Sequence, residues 1–341
     1  MPGDLVLITG ATGMIGFRTL VELLHAGYRA RIAVRKEADF GKIKSLKPMA
    51  AFLSNVESVV VPDITAPGAY DDAVKGVKYV IHVASPLAHP RYNDTDYEAE
   101  LIQPAIKGTV GMLESANKES LVQKVVITAS VASKAVTSLG NGETIDEDTN
   151  TATTKGPYAT LMAAYGASKA LSYQATLKFM QDKKPAFDVV NIRPVFVLGR
   201  DDTVTVPTEI AKGTNGFLMG PILGHAREFP LPGSVVHVDD VAKMHVLSLD
   251  PKIKGVEDFL ASAHPEEGIQ WADAFDIIKK HYPEQCKAGI FKVGDDVPRP
   301  PTVISRVANA KASEAFDLTF KTFEEQVTSV AEHFLELIGR R

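Results

Sequence analysis

Leu5-Val6-Leu7-Ile8-Thr9-Gly10-Ala11-Thr12-Gly13-Met14-Ile15-Gly16 reads as a strand that runs into a glycine turn and out into a helix. Four consecutive apolar residues, Leu5 to Ile8, have the length and composition of a short buried strand. The glycines that follow carry the chain through a phosphate cradle. Gly10 takes a backbone conformation closed to other residues, Gly13 lets a phosphate approach the main chain without meeting a Cβ, and Gly16 allows the helix to lie close on the strand. Unpaired N–H groups at the start of that helix, near Met14 and Ile15 and next to Thr12, then face the pyrophosphate of a dinucleotide. Three glycines alone would mark only a tight turn. Their place decides it, between an N-terminal apolar strand and an amphipathic helix that carries Phe17, Leu20, Val21, Leu23 and Leu24 and ends at Gly27.

Beyond this unit, strands and helices alternate. Arg29 to Arg35 reads as a second strand, Val56 to Val61 as a third, Val77 to Val83 as a fourth, Val122 to Thr128 as a fifth and Phe187 to Ile192 as a sixth, with a long helix over Tyr97 to Lys118 and another over Leu161 to Met180. Such alternation predicts an α/β protein with a parallel sheet and ligand at the carboxyl edge of its strands. At the end of the second strand, where a NAD-specific site would carry an acidic residue for the ribose 2′-hydroxyl, the chain has Arg35 and Lys36. Two positive charges there suit a 2′-phosphate, hence NADPH, with help from Lys42 or Lys44; the alternative is a pair of solvated basic residues. Asp63, next to Ile64, is read either as an acceptor for the adenine amino group or as the N-cap of the next helix. Ala84 and Ser85 are small enough to let the cofactor pass, and His82 reads as a core histidine rather than a ligand.

From Val136 to Gly156 the chain turns polar, and it is read as a mobile loop at the same edge. Leu198 to Pro232 holds seven glycines and prolines after residue 212 and reads as an irregular substrate-binding insertion. His237 to Ala242 returns to order as a strand end and an Asp-capped helix start, and Val256 to Ala261 as a further strand. The remainder is mostly helical, closing with an amphipathic helix over Phe323 to Ile338, and the lone Trp271 is expected to pack in this lobe.

Composition narrows the function classes. Of 341 residues, 45% are apolar and 23% charged, with a net charge of −5 and no basic stripe, which argues against a nucleic-acid or anionic-membrane partner. One cysteine, Cys286, excludes an internal disulfide and a thiolate metal cluster, and no apolar stretch is long enough to cross a bilayer. With no signal peptide in view, the expected location is the cytoplasm. The nine histidines show no paired spacing for a metal, and no G-x-S-x-G elbow occurs.

Tyr165 and Lys169 lie four residues apart and so one above the other on a helix. Of nine tyrosines only Tyr165 has a lysine at that spacing. With Thr9-Gly10-x-x-Gly13-x-x-Gly16, Ser130 after the fifth strand and Tyr165-Gly-Ala-Ser-Lys169, the chain resembles the extended short-chain dehydrogenase/reductases. Within them it is similar to the dihydroflavonol-reductase-like group, which includes fungal NADPH-dependent aldehyde, ketone and methylglyoxal reductases. Val-Val-Pro-Asp63-Ile, His-Val-Ala-Ser85-Pro, Arg193-Pro194-Val195, His-Val-Asp-Asp240-Val-Ala and the Lys311 to Phe320 approach to the last helix extend the likeness over nearly the whole chain.

The resemblance implies a Rossmann-type doubly wound parallel sheet with a smaller C-terminal substrate-binding lobe. The nucleotide-binding domain would span residues 1–195 plus about 234–262, and the lobe 196–233 and 263–341. It implies Tyr165 as general acid, Lys169 favouring its phenolate and holding the nicotinamide ribose, Ser130 orienting the carbonyl, and Pro194, Val195 and Val197 behind the nicotinamide. Pro86, Val131, Leu161, Phe196 and Phe217 are apolar candidates for the pocket of a small carbonyl substrate. Relatives often show Thr-Ser-Ser where this chain has Thr128-Ala129-Ser130, which leaves Ser133 as a weaker stand-in for Ser130. Many also carry a tryptophan after the Asp-Glu pair that Asp146-Glu147-Asp148-Thr149 lacks, and this bears on the pocket wall. A hydroxysteroid dehydrogenase or a nucleotide-sugar epimerase or dehydratase would use the same three residues, and a non-catalytic NADP(H) sensor would need none of them. Family habit allows a monomer or a homodimer.

Overall fold

The computed structural model describes residues 3–89, 92, 96–134, 143–152 and 155–340. Seven strands form one sheet: β1 (Leu5–Thr9), β2 (Arg29–Val34), β3 (Val56–Val60), β4 (Tyr79–His82), β5 (Lys124–Thr128), β6 (Asp188–Pro194) and β7 (Val256–Ala261). Their order is β7-β6-β5-β4-β1-β2-β3. Leu5 to Thr9 lie parallel to Arg29 to Ala33 on one side, and Val6 to Thr9 to Tyr79 to His82 on the other. The connections through α1 (Met14–His25) and α2 (Glu37–Ser45) build the sheet outward to β3, and the chain then crosses back to lay β4 on the far side of β1. That reversal leaves a crevice beyond the carboxyl ends of β1 and β4, the place where doubly wound sheets take their ligands. The α/β, Rossmann-type reading of the sequence is borne out by this sheet and its flanking helices.

The long helix expected over Tyr97 to Lys118 is two structures in series. Glu98–Ile102 is a π-turn, and the α-helix proper, α3, is Gln103–Ala116. Pro104 has no N–H to give to the preceding turn, so the regular ladder cannot run through it. The helix α4 (Leu161–Lys183) starts where Thr160 accepts the Ala163 N–H and runs three residues past the expected Met180. Of the loop expected over Val136 to Gly156, residues 136–142 and 153–154 lie outside the described residues. No helix follows Asp63: Glu37–Ser45 and Gln103–Ala116 are the nearest α-helices on either side, which removes its reading as a helix N-cap.

The chain divides into two compact units, Met1–Val136 with Asp148–Arg193 and Ala242–Phe259, and Thr137–Glu147 with Pro194–Val241 and Leu260–Arg341. In the first, Leu7, Val80, Val125 and Val189 of the sheet pack with Tyr70, Val74, Met112, Leu113 and Phe179. In the second, the core gathers on Trp271, which is 1% exposed and donates its indole N–H to the Pro232 carbonyl at 3.0 Å. The segment expected to be irregular after Leu198 contains an α-helix, Asn215–Ile222, whose Leu218, Met219 and Ile222 join this core. Its Gly216 is required there: a Cβ would stand 2.1 Å from the Ala211 carbonyl oxygen. The last helix, Phe323–Leu337, begins with a reciprocal cap between Thr322 and Glu325.

Candidate active site

The glycine turn has the backbone its sequence demands. Gly10 has φ +75°, a region that costs a residue with a Cβ, and such a Cβ would also lie 2.8 Å from the Ala84 nitrogen. Gly16 is closed more firmly, because its Cβ would stand 2.2 Å from the Gly10 carbonyl oxygen. The close approach expected of Gly16 is therefore made to the turn itself. Gly13 differs from both. It is exposed, has φ −116° and would place a Cβ in ordinary contact, 3.8 Å from the Gly10 oxygen. No neighbouring atom within the protein requires a glycine at 13. Thr12 is exposed beside it, and Met14 and Ile15 form the first turn of α1, which carries no acidic side chain and no side-chain cap. An anion at that helix start meets the positive end of the dipole with no competing carboxylate.

Thr9, not singled out in the sequence beyond its place in the motif, ties the two strand ends together. Its hydroxyl oxygen accepts the N–H groups of Val83 at 3.1 Å and Ala84 at 3.0 Å and pairs with His82 Nδ1 at 3.0 Å. The segment after β4, with Ala84, Ser85 and Pro86, is thereby held against the glycine turn. At the end of β2, Arg35 and Lys36 are exposed. The two lysines offered as their helpers have local partners: Lys42 lies 3.7 Å from the Asp39 carboxylate and Lys44 sits over the Phe40 ring. Asp63 is exposed, and its Oδ1 accepts the Thr65 N–H and hydroxyl at 2.8 and 2.7 Å, bonds that hold its carboxyl below the usual range. Ile64 turns inward and packs on α3, its Cδ1 3.2 Å from where a Cβ on Gly108 would stand.

Ser130, Tyr165 and Lys169 come together in the first unit. Ser130 follows β5 and caps the short turn Val131–Ser133, its hydroxyl accepting the Ala132 N–H at 3.2 Å. Burial pushes the Tyr165 phenol above its ordinary value, and the Ser130 side chain pulls it in the other direction. The Lys169 ammonium lies 5.7 Å from the centre of the Tyr165 ring, one helical turn along, and donates to the Ser85 hydroxyl at 3.0 Å. Its burial pulls it down to about 8. Ser85, expected only to make room for a cofactor, thus fixes the lysine. Ser133, the weaker stand-in for Ser130, is buried and donates to the Ser130 carbonyl at 2.6 Å, so its hydroxyl is committed elsewhere.

His82 is a core histidine, as its strand suggested. Burial first, then the Lys169 charge, drive its imidazole down to about 3, so it is neutral at ordinary pH. Its Nε2, the Ser172 hydroxyl and the Asn191 amide nitrogen are buried polar atoms without a protein partner, and all three residues line a cavity of about 20 Å³ that Lys169 also borders. A polar space of that size accommodates one water molecule.

The pocket candidates part company. Leu161 packs with Tyr92, Tyr97, Tyr158 and Leu101 in a cluster that includes Tyr165. Three tyrosines beside the candidate acid were missed in the sequence, where no spacing linked them to it. Val131 belongs to the turn that Ser130 caps, and Pro86 to the segment held by Thr9. Phe196 and Phe217 meet edge to face at 5.5 Å in the second unit, where Phe196 also meets Trp271 at 6.1 Å; both rings are half-buried and pack against that core. Pro194, Val195 and Val197 are buried in the same unit. Among the described residues, no group of three His, Cys, Asp or Glu side chains is placed to hold a metal, and no helix is long and apolar enough to cross a membrane.

Residues 6–259 match the NAD dependent epimerase/dehydratase family. The chain is 34% identical over 346 residues to the ketoreductase CTB6 of Cercospora beticola, an alignment that covers 99% of this chain and 96% of that one. It is 32% identical over 350 residues to the ketoreductase sphI of Aspergillus fumigatus, covering 98% and 99%. Its fold is that of the yeast methylglyoxal/isovaleraldehyde reductase Gre2, solved in complex with NADPH, with a TM-score of 0.84 at 23% identity over 99% of this chain and 100% of that one. A glycine turn at the sheet's switch point, a seven-stranded parallel sheet and matches that run almost from end to end lead to one assignment: the chain belongs to the NAD dependent epimerase/dehydratase family, the extended short-chain dehydrogenase/reductases.

Proposed function

We propose that the protein reduces an aldehyde or ketone to the alcohol with NADPH. The observation that carries the reading is the meeting of Ser130, Tyr165 and Lys169, with the serine side chain acting on the phenol and the ammonium 5.7 Å from the ring centre, one helical turn along. When bound, NADPH supplies the hydride. Ser130 donates to the carbonyl oxygen and holds it in place, and Tyr165 delivers the proton as negative charge builds there. Lys169 keeps a positive charge near the ring, which favours the phenolate left behind. Gly10, Gly13 and Gly16 with Thr12, Met14 and Ile15 would hold the pyrophosphate, Arg35 and Lys36 the 2′-phosphate, and Asp63 with Ile64 would border the adenine. Ala84 and Ser85 would pass beneath the cofactor, and Pro194, Val195 and Val197 would back the nicotinamide.

Support for a reductase comes from the two ketoreductases aligned over nearly all of the chain. The basic pair at the end of β2 favours NADPH over the NAD of an epimerase. The deciding experiment follows absorbance at the reduced-nicotinamide wavelength with NADPH and with NADH across aldehydes, α-dicarbonyls, aryl ketones, β-keto esters and steroid ketones. Stoichiometric NADPH consumption with one class supports the reading. Turnover of a sugar nucleotide without net cofactor consumption would replace it with an epimerase.

Protonation of Lys169 sets a pH expectation. Reduction needs the phenol protonated and the ammonium charged, and both conditions hold at low pH. The rate kcat/KM for reduction is therefore expected to be flat on the acid side and to fall as pH rises through about 8, where the buried lysine gives up its proton. A profile with no alkaline decline up to pH 10 would contradict the assignment of Lys169.

A further inference from the structure

Arg193 has no exposed surface, and a guanidinium sealed from water is stable only where its donors are matched. Here they are matched on three sides. Nε and Nη2 both donate to Asp258 Oδ1 at 3.2 Å, and Nη1 donates to the Ser133 hydroxyl. The flat face of the guanidinium lies 3.8 Å from the centre of the Tyr173 ring, and Tyr173 in turn donates to the other oxygen of Asp258. Burial and that carboxylate push the Tyr173 phenol up to about 12, so it remains a donor.

Each contact leads back to the candidate catalytic residues. The Ser133 hydroxyl donates a hydrogen bond to the Ser130 carbonyl, closing the turn that Ser130 caps. Tyr173 lies on α4 four residues beyond Lys169 and eight beyond Tyr165, on the same face of the helix. Where turn and helix meet, α4 carries Gly166, whose missing Cβ would stand 3.1 Å from the Ala132 carbonyl oxygen. Turn and helix are thus in direct contact, with one guanidinium bridging them.

We infer that Arg193 is a positioning residue, which holds the turn bearing Ser130 in register with the helix bearing Tyr165 and Lys169, through Ser133 on one side and Tyr173 on the other. Asp258 neutralises the charge and sets the plane of the fork. A lysine cannot replace it, because an ammonium lacks the guanidinium's planar array of donors and cannot stack flat on a ring. The inference rests on the triad reading given above.

The test uses the full-length protein and three variants, S133A, R193K and Y165F, each measured for kcat, KM, NADPH dissociation constant by cofactor fluorescence, and thermal midpoint. S133A removes one hydroxyl, away from the glycine turn. It is expected to lower kcat by about tenfold or more and to lower the thermal midpoint, since Arg193 Nη1 loses its acceptor, while KM and NADPH affinity stay close to wild type, because a displaced Ser130 affects the reacting geometry and not cofactor binding. R193K, with its charge conserved, is expected to follow S133A rather than rescue, and if R193K does not fold, S133A decides. Wild-type kcat in S133A overturns the inference, as does a parallel loss of kcat, NADPH affinity and thermal midpoint, which would mark a purely structural contact. Y165F separates this from the underlying reading. An inactive Y165F beside a fully active S133A leaves the triad standing and removes Arg193's role, whereas an active Y165F removes the triad and the inference with it.

Discussion

Tyr165→Phe is expected to lower kcat for carbonyl reduction by about 10²–10⁴-fold, the usual contribution of a positioned general acid, and to leave NADPH binding within a few-fold of wild type. The ring stays, so packing against Leu101, Ala164 and Leu161 is retained and little stability is lost. What disappears is the proton donor. The Ser130 hydroxyl keeps the Ala132 N–H as donor, so the turn should hold its shape. A loss confined to kcat, with the cofactor still bound, is the signature of a group that acts only as the reaction proceeds. A variant that still turns over at more than about a tenth of the wild-type rate would leave Tyr165 without the role proposed for it.

The second large effect separates glycines that the sequence presents as equivalent. Gly16→Ala is expected to cost about 3 kcal/mol or more, because its Cβ would collide with the backbone carbonyl of Gly10 at 2.2 Å and no side chain can move to relieve it. The turn must open, and NADPH binding should be lost with it. Gly13→Ala meets no such obstacle: the site is exposed, its backbone suits any residue, and the nearest atom is 3.8 Å away. At the start of α1 the exchange costs about 1 kcal/mol at most. Its methyl group would nonetheless stand where a phosphate must come close, so NADPH affinity should fall by about tenfold or more with the thermal midpoint nearly unchanged. Thermal melts beside NADPH titrations of the two variants check the contrast. Equal destabilisation of both, or unchanged affinity in Gly13→Ala, would contradict it.

These experiments bear on features that differed in how plainly they could be read. The β1, glycine turn and α1 unit was legible because its causes are local: an apolar run, a φ that only glycine tolerates cheaply, and a helix with apolar residues at regular spacing. The Tyr165 and Lys169 pair was legible for the same reason, since four residues on a helix is a fixed distance. The π-turn ahead of α3 was missed although Pro104 marks it, because helical periodicity on both sides masks a break of one turn. In the segment after Leu198, glycine and proline content concealed an eight-residue helix, which tertiary packing against Trp271 supports in spite of Pro221.

The site's supports were not legible at all. Lys169 meets Ser85 across 84 residues of sequence, and Thr9 meets the Ala84 N–H across 75. Arg193 reaches Ser133 across 60 and Asp258 across 65. The hydrophobicity of Phe196 and Phe217 states only that a ring avoids water and not which ring it meets; their edge-to-face contact is set by the fold.

By itself, then, the sequence determined the alternation of strands and helices, the glycine turn, and the helical face shared by Tyr165 and Lys169, because each follows from sterics and spacing within a few residues. Only the tertiary structure decided that the lysine is fixed by Ser85, that Ser133 braces Ser130 rather than replacing it, and that a buried arginine joins the turn to the helix. Those are partnerships between polar groups on separate strands and loops, and burial makes each group's partner obligatory without any local pattern to name it.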